Sequence, residues 1–89
     1  METTVLSAFS NKVRLQLLIC LSKGNKNVTQ LIGNCGLSQS AVSQHLEKLR
    51  SAGIVNTKRD GKEIIYSLTY PKAAKISTDL MNFTKEVAV

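Results

Sequence analysis

The chain has 89 residues, enough for one compact domain over 1–89 and too few for a two-domain enzyme. Apolar residues make up 43% and charged residues 20%, which excludes both a disordered tail and a membrane-embedded protein. Twelve Lys and Arg against six Asp and Glu give +6, with no acid between Thr3 and Leu46 and only Asp60 facing five bases from Lys48 to Lys62, a balance that points to an anionic partner such as nucleic acid.

A domain this short buries only about 60 to 65% of the surface its unfolded chain exposes, so self-association is expected from size. Two cysteines allow at most one disulfide, far from a secreted disulfide scaffold. The longest strongly apolar run, Leu17 to Leu21, is too short for a bilayer, and Glu2 does not suit the basic start of a signal peptide. The expectation is a cytoplasmic protein with no membrane partner.

In chain order, Met1 to Phe9 carries Val5, Leu6 and Phe9 at helical spacing, and Ser10 or Asn11 can cap the helix that follows. Asn11 to Lys23 places Val13, Leu17, Cys20 and Leu21 on one face with Leu18 beside them, a core helix ended by Gly24 and Asn25. Asn27 caps a third helix from Val28 to about Asn34, and Cys35-Gly36 makes a tight turn. Ser38 caps a fourth helix, Gln39 to about Ala52, stopped by Gly53. Ile54 to Arg59 and Lys62 to Leu68 read as two strands joined by Asp60-Gly61, a pair suited to a type I′ turn. After Pro71, Ala73, Ile76, Leu80, Phe83 and Val87 recur at three- and four-residue steps of a last helix.

Two short helices joined by a glycine turn and followed by a basic hairpin describe a winged helix-turn-helix, mainly α with a small β-hairpin. On the fourth helix Val42, Leu46 and Leu49 share one face, while Ser40, Ser43, Gln44, Glu47, Lys48 and Ser51 occupy the rest. Short neutral Ser and Gln hydrogen-bond base edges and phosphates, whereas an ordinary solvated face carries more Glu and Lys.

The run Leu37-Ser38-Gln39-Ser40-Ala41-Val42-Ser43-Gln44-His45-Leu46, then Leu49-Arg50-Ser51-Ala52-Gly53-Ile54-Val55, then Ile65-Tyr66-Ser67-Leu68, resembles the ArsR/SmtB family of dimeric transcriptional repressors over roughly Val5 to Ile76. The resemblance implies a homodimer joined through its first and last helices, bound to an imperfect inverted repeat in double-stranded DNA and released by an effector. It also implies that Gln39, Ser40, Ser43 and Gln44 contact DNA. His45 flanks that face and is read as a packing or phosphate-contacting residue. Lys48, Arg50, Lys58, Arg59 and Lys62 are the expected electrostatic anchors, with the last three around the hairpin tip. Val5, Leu6, Phe9, Ile76, Leu80, Phe83 and Val87 exceed what one small core covers and are the expected dimer interface.

The metal sites usual in that family are not matched. Asn27, Thr29 and Ile32 stand where a Cys-x-Cys-x-x-Cys run is expected, and after Leu68 Tyr70 and Lys72 are followed only by Asp79 and Glu86, a poor set for zinc. No metal and no cofactor is expected. Some members sense oxidants or sulfane sulfur through one cysteine on the second helix and one on the last; here the last helix has none. Cys20, on the apolar face of the second helix, reads as a small buried hydrophobe, and Cys35 as an incidental residue of the turn beside Gly36, the alternative being an exposed thiol whose oxidation or thiolation disturbs the neighbouring recognition helix. Gly36-Leu37-Ser38-Gln39-Ser40 lacks the second glycine and the preceding strand of a nucleophile elbow, so no enzyme is expected. The competing functions are a winged-helix protein-interaction module without its own operator, which would expose contiguous apolar area on the presumed reading face, and a thiol-based redox-responsive repressor.

Overall fold

The protein is described from a computed structural model covering the backbone of residues 2–87 and the side chains of residues 4–87. The elements are α1 (Glu2–Ala8), α2 (Lys12–Leu21), α3 (Val28–Cys35), α4 (Gln39–Ser51), β1 (Val55–Asp60), β2 (Glu63–Leu68) and α5 (Lys72–Val87). Met1, the expected start of the first helix, lies outside the described residues.

The centre of the fold is α2. Leu15, Leu17, Leu18, Cys20 and Leu21 are buried around most of its circumference, so α3, α4, α5 and β2 all pack on it. Of the two candidate caps, the structure uses Asn11, whose Oδ1 accepts the N–H groups of Val13 (2.9 Å) and Arg14 (3.2 Å). Leu31 of α3 and Val42, Leu46 and Leu49 of α4 complete the core with Ile54, Val55 and Ala73. Each fully buried leucine stabilises the fold by about 1.5 to 3 kcal/mol relative to exposure.

Local chemistry explains the helix boundaries. Asn27 and Gln30 form a reciprocal capping box at the start of α3, each side chain accepting the other's backbone N–H (2.8 and 2.9 Å). Gly36 ends α3 in the left-handed region (φ +68°), as the turn between the two helices requires. Ser38 has the extended backbone of an N-cap, but its side chain makes no capping hydrogen bond, in contrast to the expectation.

β1 and β2 pair antiparallel, with Val55 opposite Leu68 and Asp60 opposite Glu63. The loop is therefore Gly61-Lys62, one residue later than expected. Only Gly61 has positive φ (+65°), the sign pattern of a type II′ turn and not of type I′, which needs positive φ at both loop positions. A further rung is invisible in the hydropathy pattern: Lys26 and Tyr66 exchange backbone hydrogen bonds (3.1 and 2.8 Å), tying the α2–α3 loop to the hairpin.

α5 meets the core through the small residues Ala73, Ala74 and Ser77, and the buried Ser77 hydroxyl is satisfied by donating to the Ala73 carbonyl (2.8 Å). The larger apolar residues of this helix turn elsewhere: Ile76, Phe83 and Val87 are 38%, 59% and 67% exposed. Val5 and Leu6 on α1 are also exposed, while Phe9 and Leu80 are half-buried in the chain's own fold.

Candidate DNA-binding surface

The Gly36 turn sets α4 against α3 and α2 through Val42, Leu46 and Leu49, which leaves the opposite side of α4 to solvent. Gln39, Ser40, Ser43, Gln44 and Lys48 are all exposed there, as the sequence leads one to expect. With no side-chain cap at Ser38, the first-turn N–H groups of α4 are also free of a side-chain acceptor. Lys58, Arg59 and Lys62 are exposed near the tip of the hairpin. Arg59 Nε bends back towards the Gly61 carbonyl (3.4 Å), a long contact that a phosphate can displace.

Two expected contact residues are otherwise engaged. Arg50 pairs with Glu47 one turn earlier (2.6 Å), the guanidinium holding that carboxyl below the usual carboxylate range. This intrahelical pair competes with any phosphate for Arg50 and cancels the one acidic charge on α4.

His45 is half-buried, and its Nδ1 faces Nη1 of Arg14 at 3.0 Å. Because a guanidinium only donates, Nδ1 is the acceptor and the neutral ring carries its proton on Nε2. Burial, then the neighbouring charges of Arg14 and Lys48, lowers the His45 pKa below its ordinary value, so the imidazole is uncharged at neutral pH.

Arg14 itself was missed by the sequence reading. It is buried at 6% exposure, and no carboxylate pairs with it among the described residues. Its Nε donates to the Ala8 carbonyl (3.3 Å) and Nη2 to the Ser7 carbonyl (2.8 Å) and the Ser10 hydroxyl (3.3 Å). The guanidinium thus sits on the negative, carboxyl-terminal end of α1 while holding an α4 side chain. The available signal was its helical position, three, four and seven residues before Leu17, Leu18 and Leu21, a charged group on the core face of α2.

The sequence reading also kept the two cysteines apart, and the structure corrects it. Cys20 is buried as expected, but Cys35 is half-buried against the core, and their sulfur atoms are joined in a disulfide between α2 and α3. No three His, Cys, Asp or Glu side chains gather into a metal-holding group among the described residues.

A helix-turn-helix with a polar outer face and a basic hairpin behind it defines a winged helix-turn-helix regulator. The chain belongs to the bacterial regulatory protein arsR family, whose pattern matches residues 11–57. It is 46% identical over 71 residues to nodulation protein NolR of Rhizobium meliloti, a match covering 80% of this chain and 58% of that protein. It is 42% identical over 65 residues to the transcriptional activator HlyU of Vibrio cholerae, covering 73% of this chain and 60% of that one. The crystal structure of the transcriptional repressor BigR from Xylella fastidiosa superposes with a TM-score of 0.76 at 38% identity, over 91% of this chain and 83% of that one. The chain thus spans about three fifths of the length of these curated relatives. The family is one of regulators, not enzymes.

Proposed function

We propose that the protein is a sequence-specific DNA-binding transcriptional regulator, a cytoplasmic repressor that reads an inverted-repeat operator as a homodimer. The observation that carries this reading is the exposed row Gln39, Ser40, Ser43 and Gln44 on α4, bordered by Lys48 and with its single carboxylate already held by Arg50. Side chains of this kind hydrogen-bond base edges in the major groove, and the exposed Lys58, Arg59 and Lys62 supply sequence-independent phosphate attraction. The exposed apolar residues of α1 and α5 support the second copy, because Val5, Leu6, Ile76, Phe83 and Val87 are left open by the chain's own fold. They lie on elements other than the reading face, which favours DNA over a protein partner at α4.

The test is a gel shift and footprint on the DNA upstream of the protein's own coding region. Two protected half-sites related by inversion, with centres about one helical turn (about 34 Å) apart, are expected. A single unpaired footprint, or equal affinity for random duplex, overturns the reading. Repression is tested separately, since relatives carry the names of both repressor and activator. Deleting the protein is expected to raise transcription from the bound promoter.

A further inference from the structure

Cys20 lies in the final turn of α2, and Cys35 is the last residue of α3. Their Cα atoms are 6.3 Å apart, within the roughly 4.4 to 6.8 Å that a disulfide spans without backbone movement. The bond closes a sequence separation of 15 residues and ends one residue before Gly36, the left-handed hinge that aims α4. Both cysteines border an open groove of about 450 Å³ whose rim carries Gln16, Lys23, Lys26 and Asn34. Lys26 is fixed there by donating from Nζ to the Cys20 carbonyl (3.1 Å) and the Gly24 carbonyl (3.1 Å). The pair is therefore reachable by a small molecule, and it sits beside two cations that suit a thiolate, the nucleophilic form of cysteine.

We propose that Cys20 and Cys35 form a reversible dithiol–disulfide site for small hydroperoxides, and that the bond sets how the helix-turn-helix is held on α2. The proposal rests on the DNA-binding reading for its consequence but not for its chemistry. Cys35, the more exposed of the two, attacks the peroxide as a thiolate: an S–O bond forms, the O–O bond breaks, and the departing oxygen takes a proton to leave as water or an alcohol. Cys20 then attacks the Cys35 sulfur as a thiolate; an S–S bond forms and hydroxide departs, taking a proton to become water. Two thiols lose two electrons in total and one peroxide gains them. A small dithiol reverses the step by exchange, becoming a disulfide itself. In the oxidised form the last turn of α3 is bonded to α2, so the turn at Gly36 keeps the orientation described above. In the reduced form only side-chain packing holds it.

The experiment takes the reduced full chain, adds hydrogen peroxide at equal concentration, alkylates remaining thiols and weighs the intact protein and its peptides. An intramolecular Cys20–Cys35 crosslink, reversed by dithiothreitol, is expected. Cys20→Ser and Cys35→Ser, checked for folding by circular dichroism, are each expected to give no intramolecular crosslink. Thiols that stay alkylatable, or crosslinks only between copies, overturn the site. The same samples are titrated against the upstream DNA fragment and a random duplex. Operator affinity is expected to differ between reduced and oxidised protein by at least about fivefold, the lower end of ordinary allosteric coupling, and this difference is expected to vanish in both serine variants. A crosslink without an affinity difference overturns the coupling. Failure of both forms to prefer the upstream fragment overturns the DNA-binding reading, while the mass measurement still decides the site.

Discussion

Arg14 is the residue whose loss has the widest expected effect, because one guanidinium serves two helices besides its own. A lysine at this position keeps the charge but has no planar fork to span Ser7, Ala8 and His45 together. Arg14→Lys is therefore expected to cost about 1 to 3 kcal/mol, the range for leaving buried polar partners unsatisfied, and Arg14→Ala more, measured by urea unfolding. An Arg14→Lys variant as stable as the wild type would show that these hydrogen bonds carry no net weight. His45 gives a second test. With its pKa depressed in the folded state, the unfolded chain takes up the proton first as pH falls. The stability it contributes is complete above about pH 6.5 and is lost as pH drops through the lower folded value. The melting temperature is expected to fall between about pH 7 and pH 5, and His45→Gln, which keeps an acceptor for Arg14 and does not titrate, is expected to flatten that fall.

Among the elements, α4 and the hairpin divide reading from gripping. Gln44→Ala is expected to weaken operator binding by about 1 to 3 kcal/mol per half-site with little change on random DNA. Arg59→Ala is expected to weaken both alike and to lower the salt slope by about one unit per subunit. Equal losses on both DNAs for Gln44→Ala would remove α4 as the reading element. The α3–α4 turn has its own test. A Cβ built at Gly36 meets nothing within 4 Å, so Gly36→Ala measures backbone strain alone at φ +68°. A loss of about 1 to 2 kcal/mol is expected in chemical denaturation. These elements were readable in the sequence because their signals are local: Asn27 caps, Gly36 turns, and the polar row follows the pitch of one helix. The hairpin turn was read one residue early because Asp60-Gly61 is a favoured loop pair, yet Asp60 still pairs across to Glu63. Arg14–His45, Lys26–Tyr66 and Cys20–Cys35 were not legible, since each joins residues brought together only by the packing of α2.

For the whole molecule, the exposed apolar residues at both ends of the chain matter most. Leu6 is 72% exposed and Phe83 59%, in a fold that buries Leu17, Leu18, Leu31, Leu46 and Leu49 completely. The proposed dimer covers such residues, so Leu6→Glu together with Phe83→Glu is expected to give a monomer in sedimentation at micromolar concentration, with the circular dichroism of the wild type. Operator affinity should fall with it, because each half-site then binds alone. A wild-type monomer under the same conditions would remove the dimer from the proposal.

The Arg14 junction also carries a mechanical consequence. In the proposed dimer α1 belongs to the shared interface and α4 to the reading surface, and within one protomer the hydrogen bonds of Arg14 span the distance between them. That side chain then acts as a stay between the two. With reading helices about 34 Å apart, a change of one base pair in operator spacing asks each helix to move by about 1.7 Å, half the rise of one base pair, and the junction between α1 and α4 sets how freely each protomer makes that move. Operators whose half-sites are spaced one base pair too wide or too narrow are thus within reach of a loosened junction and out of reach of a tight one, and tolerance to spacing becomes a property of a buried residue.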